Sequence, residues 1–357
     1  MPTPEDLLDQ TVSVIEPLDA EAMRAARERQ AGLTKPAGAL GVLEDLSVQW
    51  AGIHAACPPP YPEELAVVVF AGDHGVVAQG VTPWPQEVTT AMVENFRAGG
   101  AAVNVLTAEA GGDVVVVDIG VAGDIKEDEV VWSRKVRPGT ADLSLGAAMT
   151  RDEAVLAISA GVQVALDLID QGYDVLATGD MGIGNTTASA CLVAALTGRS
   201  AAEVTGRGTG VDDATLELKT RIVEAAVGRL ASDTDGIAVV AEVGGLEHAG
   251  LAGLILGAAS RRVPVVLDGL IAGAAALVAQ RLSATSIDYC IAGHRSVEPG
   301  HRAALEALGL RPLIDLDLRL GEGSGAALAF PIVRSAVAVL RDMATFESAQ
   351  IESGDQS

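Results

Sequence analysis

Basic blocks, paired cysteines and aromatic rings are all scarce in this sequence, and each scarcity excludes something. There are 24 Lys and Arg against 48 Asp and Glu, a net charge of −24, with no basic cluster, so nucleic acid is excluded as a partner. Only three cysteines occur, Cys57, Cys191 and Cys290, far apart and without a CxxC or Cys/His spacing. That excludes a disulfide framework and a zinc knuckle; an odd count behind a polar N-terminus, MPTPEDLLDQ, reads as reduced thiols in a cytoplasmic protein. No membrane span is expected either, because the most apolar stretch, Ala249 to Ala279, is interrupted by Arg261, Arg262 and Asp268. It reads instead as helix, strand, helix. With three Trp, three Tyr and four Phe, a flat ligand would be held between aliphatic and backbone surfaces rather than in an aromatic sandwich, and Trp84 is the ring to check. A GK[ST] triplet is missing, and so is a GxGxxG with an acidic residue at the proper distance, which excludes a Walker A loop and argues against a dinucleotide-dependent oxidoreductase.

What is present is apolar residues (49%) and 40 glycines in 357 residues, enough for a sizeable core in one large domain or two smaller ones. Residues 1 to about 53 read as helical, with a Pro/Gly loop at Thr34 to Gly41, and Cys57-Pro-Pro-Pro-Tyr-Pro62 breaks all regularity at a lobe boundary. Beyond it, β-branched runs alternate with helical stretches. The runs are Ala66–Phe70, Val114–Val117, Asp174–Ala177, Pro264–Leu267 and Tyr289–Ala292, with Leu313–Leu316 as a weaker sixth. Unbroken apolar runs alternating with helices predict a parallel sheet covered on both faces. Ligands of such sheets sit beyond the carboxyl ends of the strands, which is where Gly, Asp, His and Arg collect here. The segment from Ser324 to Phe346 is predicted helical and the last residues frayed.

Five strand-end loops could carry chemistry. Thr178-Gly-Asp-Met-Gly-Ile-Gly-Asn-Thr-Thr187 opens a helix, where freed backbone N–H groups make an anion site; the plainer reading is a tight turn with Thr/Asn capping. Asp73 and His74 could ligate a metal or act as an acid–base pair, but no third ligand is near in sequence, and a loop held by Asp-to-backbone bonds suffices. The following Val81-Thr-Pro-Trp-Pro-Gln86 has donors and one aromatic, suited to a flat polar ring. In Gly208-Thr-Gly-Val-Asp-Asp213 the acidic pair after an apolar residue could bind a ribose, but the plainer reading is an aspartate capping the helix from Ala214, which contains the rare Lys219. Glu322, flanked by glycines in Arg319-Leu-Gly-Glu-Gly-Ser-Gly325, is either a capping carboxylate or a general base on a backbone that approaches a ligand closely. In Gly293-His-Arg-Ser-Val-Glu-Pro-Gly300, Arg295 and Ser296 suit a phosphate, while Glu298 and Pro299 fit an ordinary helix start.

Taken in order, these loops resemble one family, the nicotinate-nucleotide:dimethylbenzimidazole phosphoribosyltransferases. The resemblance is carried by Lys35-Pro-Ala-Gly-Ala-Leu-Gly-Val-Leu-Glu44, Ala71-Gly-Asp-His-Gly-Val76 with Pro85-Gln-Glu-Val88, Gly179 to Thr187, Gly244-Gly-Leu-Glu-His-Ala-Gly250, Leu267-Asp-Gly269, Gly293-His-Arg-Ser296 and Gly321-Glu-Gly-Ser-Gly-Ala326. It implies an α/β fold: a Rossmann-like parallel sheet with helices on both faces over residues 60–318, and a small helical lobe from 1–59 with 319–350, before a frayed tail at 351–357. It also implies a homodimer, and transfer of phosphoribose from nicotinate mononucleotide to 5,6-dimethylbenzimidazole without cofactor or metal. The family's catalytic glutamate falls on Glu322. The acidic residue before its glycine loop falls on Asp180, where the family commonly has Glu, and its helix lysine on Lys219. Gly182, Gly184, Asn185, Thr186, Arg295 and Ser296 would hold the nucleotide phosphate; Thr82, Gln86 and Leu320 would line the base pocket. The alternative is a non-catalytic nucleotide-binding regulator of the same fold.

Overall fold

The structure is a computed structural model, and it describes residues 2–208, 210–231 and 234–352. Six strands form one sheet: β1 Leu65–Gly72, β2 Gly112–Gly120, β3 Val131–Ser133, β4 Val175–Met181, β5 Val265–Leu267 and β6 Cys290–Ala292. Every pairing is parallel and the spatial order is β3-β2-β1-β4-β5-β6, so the winding direction reverses between β1 and β4. The crevice at such a reversal is where doubly wound sheets bind ligands.

The helices named from here on are α1 Pro4–Ser13, α2 Ala20–Gly32, α3 Val42–His54, α4 Glu87–Arg97, α5 Ala102–Glu109, α6 Arg151–Asp170, α7 Asn185–Thr197, α8 Ala201–Val204, α9 Asp213–Val227, α10 Gly236–Val243, α11 Leu246–Ser260, α12 Leu270–Leu282, α13 Pro299–Leu308 and α14 Ser324–Asp342. The alternation of the strands sorts their side chains into two cores. Ala66, Val68 and Phe70 of β1 face α6, α11 and α12; Val67, Val69 and Ala71 face α3, α4, α5 and α14. A wholly buried Phe70 contributes about 2–3 kcal/mol by itself. On the first face, α6 and α11 touch backbone to backbone: a Cβ on Gly253 would lie 1.9 Å from the carbonyl oxygen of Ile158, so only glycine permits that approach. Helices α2, α3 and α14 share a small apolar cluster of Ala26, Val48, Ala51 and Leu340, whereas α1 lies apart from them on α6 and α11. Of the described helices, α14 alone is long and apolar enough to cross a membrane by length and composition, and 56% of that stretch is buried inside the protein against the sheet.

Two sequence expectations change here. Leu313–Leu316 is not a strand. Ile314 makes an isolated bridge to His294 after β6, then the chain turns away at Asp317, whose φ is +54°. The sixth strand is Val131–Ser133, three residues beside β2 that emerge from an acidic loop and are too short to show a period. The helix after the glycine loop, which the apolar pattern placed at Ala188 to Leu196, starts three residues earlier, at Asn185, and of the expected frayed tail residues 353–357 lie outside the described residues.

Candidate active site

At the β1/β4 reversal the strand ends and the α7 and α14 entry loops enclose a cavity of about 330 Å³. Its wall includes Asp180, Gly182, Asn185, Thr186, Ser296, Leu320 and Glu322, drawn from separate loops. Trp84, Val88 and Met92 close one side and Leu320 the rim; Trp84 and Leu320 are half exposed. Lys219 reaches the same place from α9. Its Nζ, on a side chain buried to 2% exposure, donates to Thr186 Oγ1 and to the Gly206 carbonyl, both at 3.0 Å.

Glycine builds the anion end. A Cβ on Gly182 would lie 2.4 Å from the Gly72 carbonyl oxygen, so only glycine lets β4 turn tightly over β1 there. Gly184 follows with φ +89° as the N-cap of α7 and supplies no side-chain cap, which leaves the anion-binding capacity of that helix end to a ligand. Gly184 itself lies behind the wall against Val77.

The other end is acidic. Glu322 has φ +66° between Gly321 and Gly323, both also at positive φ. A non-glycine residue there costs about 1 kcal/mol or more, and such strain at a reacting group is a functional sign. The side chain is 7% exposed and its Oε2 has no hydrogen-bond partner. Burial, then the charge of Asp268, push its carboxyl up to about 7, opposed by the Val103 N–H of α5. Asp180 is held far above the usual carboxylate range by burial and by Asp268, against the hydrogen bond that Asn185 Nδ2 donates to it at 2.9 Å. Asp268 goes the other way. Burial opposes its charge, but His294 and the amides of Gly325 and Ala326 outweigh it and hold the carboxyl low.

Glu298 also belongs to this wall, although the sequence offered it only as a helix start. Pro299 does open α13, but the Glu298 carboxylate accepts from the Gly208 N–H at 2.9 Å instead of capping its own helix. Burial pushes its carboxyl up against the pull of Lys219 and the Gly208 amide. Besides Gly184, three more expected residues lie off the wall. Arg295 is half exposed and paired with Asp315. Thr82 accepts from the Trp84 N–H at 3.2 Å, and Gln86 is the N-cap of α4, two residues before Val88, which with Met92 forms the face that meets the cavity. Asp212 caps α9 by accepting from Thr215 N–H at 2.9 Å; Thr209 of that loop lies outside the described residues.

His74 does find neighbours, contrary to the sequence expectation. Glu247 and His248 come from the start of α11 and place three ligand-type atoms within 4.8 Å of one another, all fully buried. Glu247 Oε1 is 2.8 Å from His74 Nε2 and 2.7 Å from His248 Nδ1. Both distances are shorter than the roughly 3.3 Å that separates nitrogen and oxygen ligands around a tetrahedral zinc. His74 Nε2 and Glu247 Oε1 share a hydrogen bond, while His248 Nδ1 lies beside the same oxygen without a hydrogen-bond partner. Burial works against charge on both partners, yet their attraction wins: Glu247 is held below the carboxylate range and His74 is raised. The ring of His74 backs directly onto Gly182, and Ser189 of α7 is 2.8 Å from His248 Nε2, so this group props the anion loop from behind.

Known proteins resemble this chain over nearly its whole length. A family model described as phosphoribosyltransferase matches residues 15–351. The chain is 54% identical over 360 residues to the nicotinate-nucleotide–dimethylbenzimidazole phosphoribosyltransferase of Salinispora tropica, covering 97% of this chain and 99% of that one. With the Chloroflexus aggregans enzyme of the same name it shares 55% over 346 residues, 97% and 98% of the two chains. A crystal structure of the Thermus thermophilus enzyme superposes with a TM-score of 0.91 at 46% identity, over 94% of this chain and 100% of that one. The chain belongs to the nicotinate-nucleotide–dimethylbenzimidazole phosphoribosyltransferase family.

Proposed function

We propose that this enzyme transfers phosphoribose from nicotinate mononucleotide to 5,6-dimethylbenzimidazole, releasing nicotinate and forming α-ribazole 5′-phosphate for the lower ligand of a cobalamin. The observation that carries the mechanism is Glu322: a desolvated, strained carboxyl at one end of a cavity whose other end is an uncapped helix N-terminus beside Lys219. In this reading the phosphate sits on the Gly182–Thr186 turn, its charge answered by α7 and Lys219. Ser296 flanks it. The apolar face of Trp84, Val88, Met92 and Leu320 takes the benzimidazole.

The electron flow is a single displacement. A benzimidazole nitrogen attacks the anomeric carbon, and the bond from that carbon to the pyridine nitrogen breaks. Its electron pair neutralises the pyridinium, and the proton on the second benzimidazole nitrogen passes to Glu322. Charge is thus positive on the pyridinium before transfer, on the sugar carbon during it and on the benzimidazole after it. A wall holding Asp180, Glu298 and Glu322, with Asp268 behind it, suits that path. Asp180, whose ionisation is opposed by burial and by the charge of Asp268, gains reason to ionise when the cationic ring arrives. The leaving group is a neutral nitrogen, so the step has no pyrophosphate for a metal to neutralise.

Glu322 must be ionised to accept a proton, and its carboxyl lies at about 7. kcat/KM should therefore rise with pH to a plateau with a midpoint near 7, falling about tenfold per unit on the acid side. A profile flat from pH 5.5 to 8.5 would remove Glu322 from this role. The reaction itself is tested by chromatographic detection of nicotinate, which should appear only when both substrates are present. Calorimetric binding of nicotinate mononucleotide with no release would instead favour the regulatory reading. We further propose a homodimer, in keeping with the resemblance, and a cytoplasmic location, in keeping with three unpaired thiols. We also propose a two-lobe division, supported by the cluster that α2, α3 and α14 share, although α3 and α14 also cover one face of the sheet and α1 packs on α6 and α11.

A further inference from the structure

Helix α14 begins without a cap of its own. Its N-cap is Gly323, which has no side chain to satisfy the exposed first-turn amides. The missing acceptor comes from another strand. Asp268, fully buried just after β5, accepts from the N–H groups of Gly325 at 2.7 Å and Ala326 at 3.1 Å through Oδ1, and from that of Gly323 at 3.2 Å through Oδ2. The Gly323 N–H belongs to the peptide that joins it to Glu322. On the opposite side, the Glu322 carbonyl lies so close to Gly179 that a Cβ there would be 2.4 Å from its oxygen. The backbone that carries Glu322 is therefore clamped between β4 and a carboxylate on β5, in a left-handed conformation it would not choose.

We propose that Asp268 is a positioning residue for the transfer: a remote helix cap that locks the Glu322–Gly323 peptide and aims the Glu322 carboxyl into the cavity. This rests on the reading of Glu322 as proton acceptor. The cap is itself held. Thr178 Oγ1 of β4 accepts from the Asp268 N–H at 2.9 Å, and His294 Nε2, after β6, lies 3.5 Å from Oδ1. Because the α14 amides already hold a protein carboxylate, that helix end is not an anion site for the substrate. Phosphate is thereby directed to α7. The charge of Asp268 also faces Glu322, as do Asp180 from β4 and the Val103 N–H from α5; His294 touches Asp268 from β6, and Arg319 shares the cavity wall. Asp268 thus acts on Glu322 twice, by geometry and by field.

Two variants separate these effects. In Asp268→Asn one oxygen becomes an NH2 that cannot accept, and the charge is gone. The turnover number should fall about 10- to 100-fold, KM for nicotinate mononucleotide should change by less than about 3-fold, and the acid-side midpoint should move down by at least about half a unit. Thr178→Val removes the support of the Asp268 backbone while keeping every charge. It should lower turnover by about 3- to 10-fold with the midpoint unmoved. Wild-type turnover and midpoint in folded Asp268→Asn would overturn the proposal. If that variant does not fold, unchanged turnover in Thr178→Val overturns it. A wild-type profile with no midpoint near 7 would strike the Glu322 reading instead, so the two failures are distinct.

Discussion

Glu322→Gln should lose about 10³-fold in turnover number, the middle of the range for removal of a general base, while nucleotide affinity changes by less than about 3-fold. Gln fills the same space and retains a polar tip, so the cavity wall survives; what it lacks is a basic oxygen to take the benzimidazole proton. The same substitution should stabilise the fold at alkaline pH. Folding raises the Glu322 carboxyl from 4.5 to about 7, so the folded state binds the proton more tightly than the unfolded one. Stability is therefore lost as pH rises through that window, by about 2 kcal/mol after allowance for water at the cavity mouth. Gln removes the loss. Its melting temperature should exceed that of the parent by a few degrees at pH 8, and the gap should shrink towards pH 5. Higher stability with lower turnover is the signature of a carboxyl kept in a place chosen for chemistry. Equal melting curves at pH 8 would show that Glu322 is not desolvated in solution.

Lys219→Met should lower kcat/KM for nicotinate mononucleotide about 100-fold, mostly through KM. The lysine is buried, donates to Thr186 Oγ1 and to the Gly206 carbonyl, and offsets Glu298. Methionine fills the channel but leaves both acceptors without this donor and the Glu298 carboxyl without its countercharge, and removes the buried cation nearest the proposed phosphate. Losing charge-assisted bonds of this kind is worth about 3 kcal/mol, hence the factor of 100. Arg295→Ala is the control. Sequence placed Arg295 beside the phosphate, but it is half exposed and engaged with Asp315, so its removal should change kcat/KM by less than about 3-fold. Steady-state kinetics in nicotinate mononucleotide at saturating base checks both. Similar losses in the two variants would mean that general positive charge, rather than the α7–α9 geometry, holds the nucleotide.

Local pattern made much of this molecule legible. Five of the six strands stand out because a buried parallel strand needs an unbroken β-branched run, and glycines mark the sharp turns at their carboxyl ends. Glu322, Asp180, Asn185 and Ser296 follow from those turns and meet at one wall. What stayed hidden depends on partners distant in sequence. Asp268 looked like an ordinary strand end, and its meaning comes from amides 55 to 58 residues later. Glu298 looked like a helix start until Gly208, 90 residues earlier, supplied its donor. His74 lacked a third neighbour because Glu247 lies 173 residues on. Thr82 and Gln86 were misplaced for a simpler reason. Polar side chains suggested a wall for a polar ring, yet the α4 face that meets the cavity is the apolar pair Val88 and Met92, four residues apart.

The proposed mechanism turns on one displacement at the anomeric carbon, with the benzimidazole on the Glu322 side and its proton taken there. The most direct test is the structure of the product. The purified enzyme, given β-configured nicotinate mononucleotide and 5,6-dimethylbenzimidazole, should yield a nucleotide of the mass of ribazole phosphate whose anomeric proton, read by nuclear magnetic resonance, shows the α configuration. A β-configured product would mean two displacements or a different approach of the base, and either that result or folded enzyme giving no nucleotide product would contradict a single displacement here.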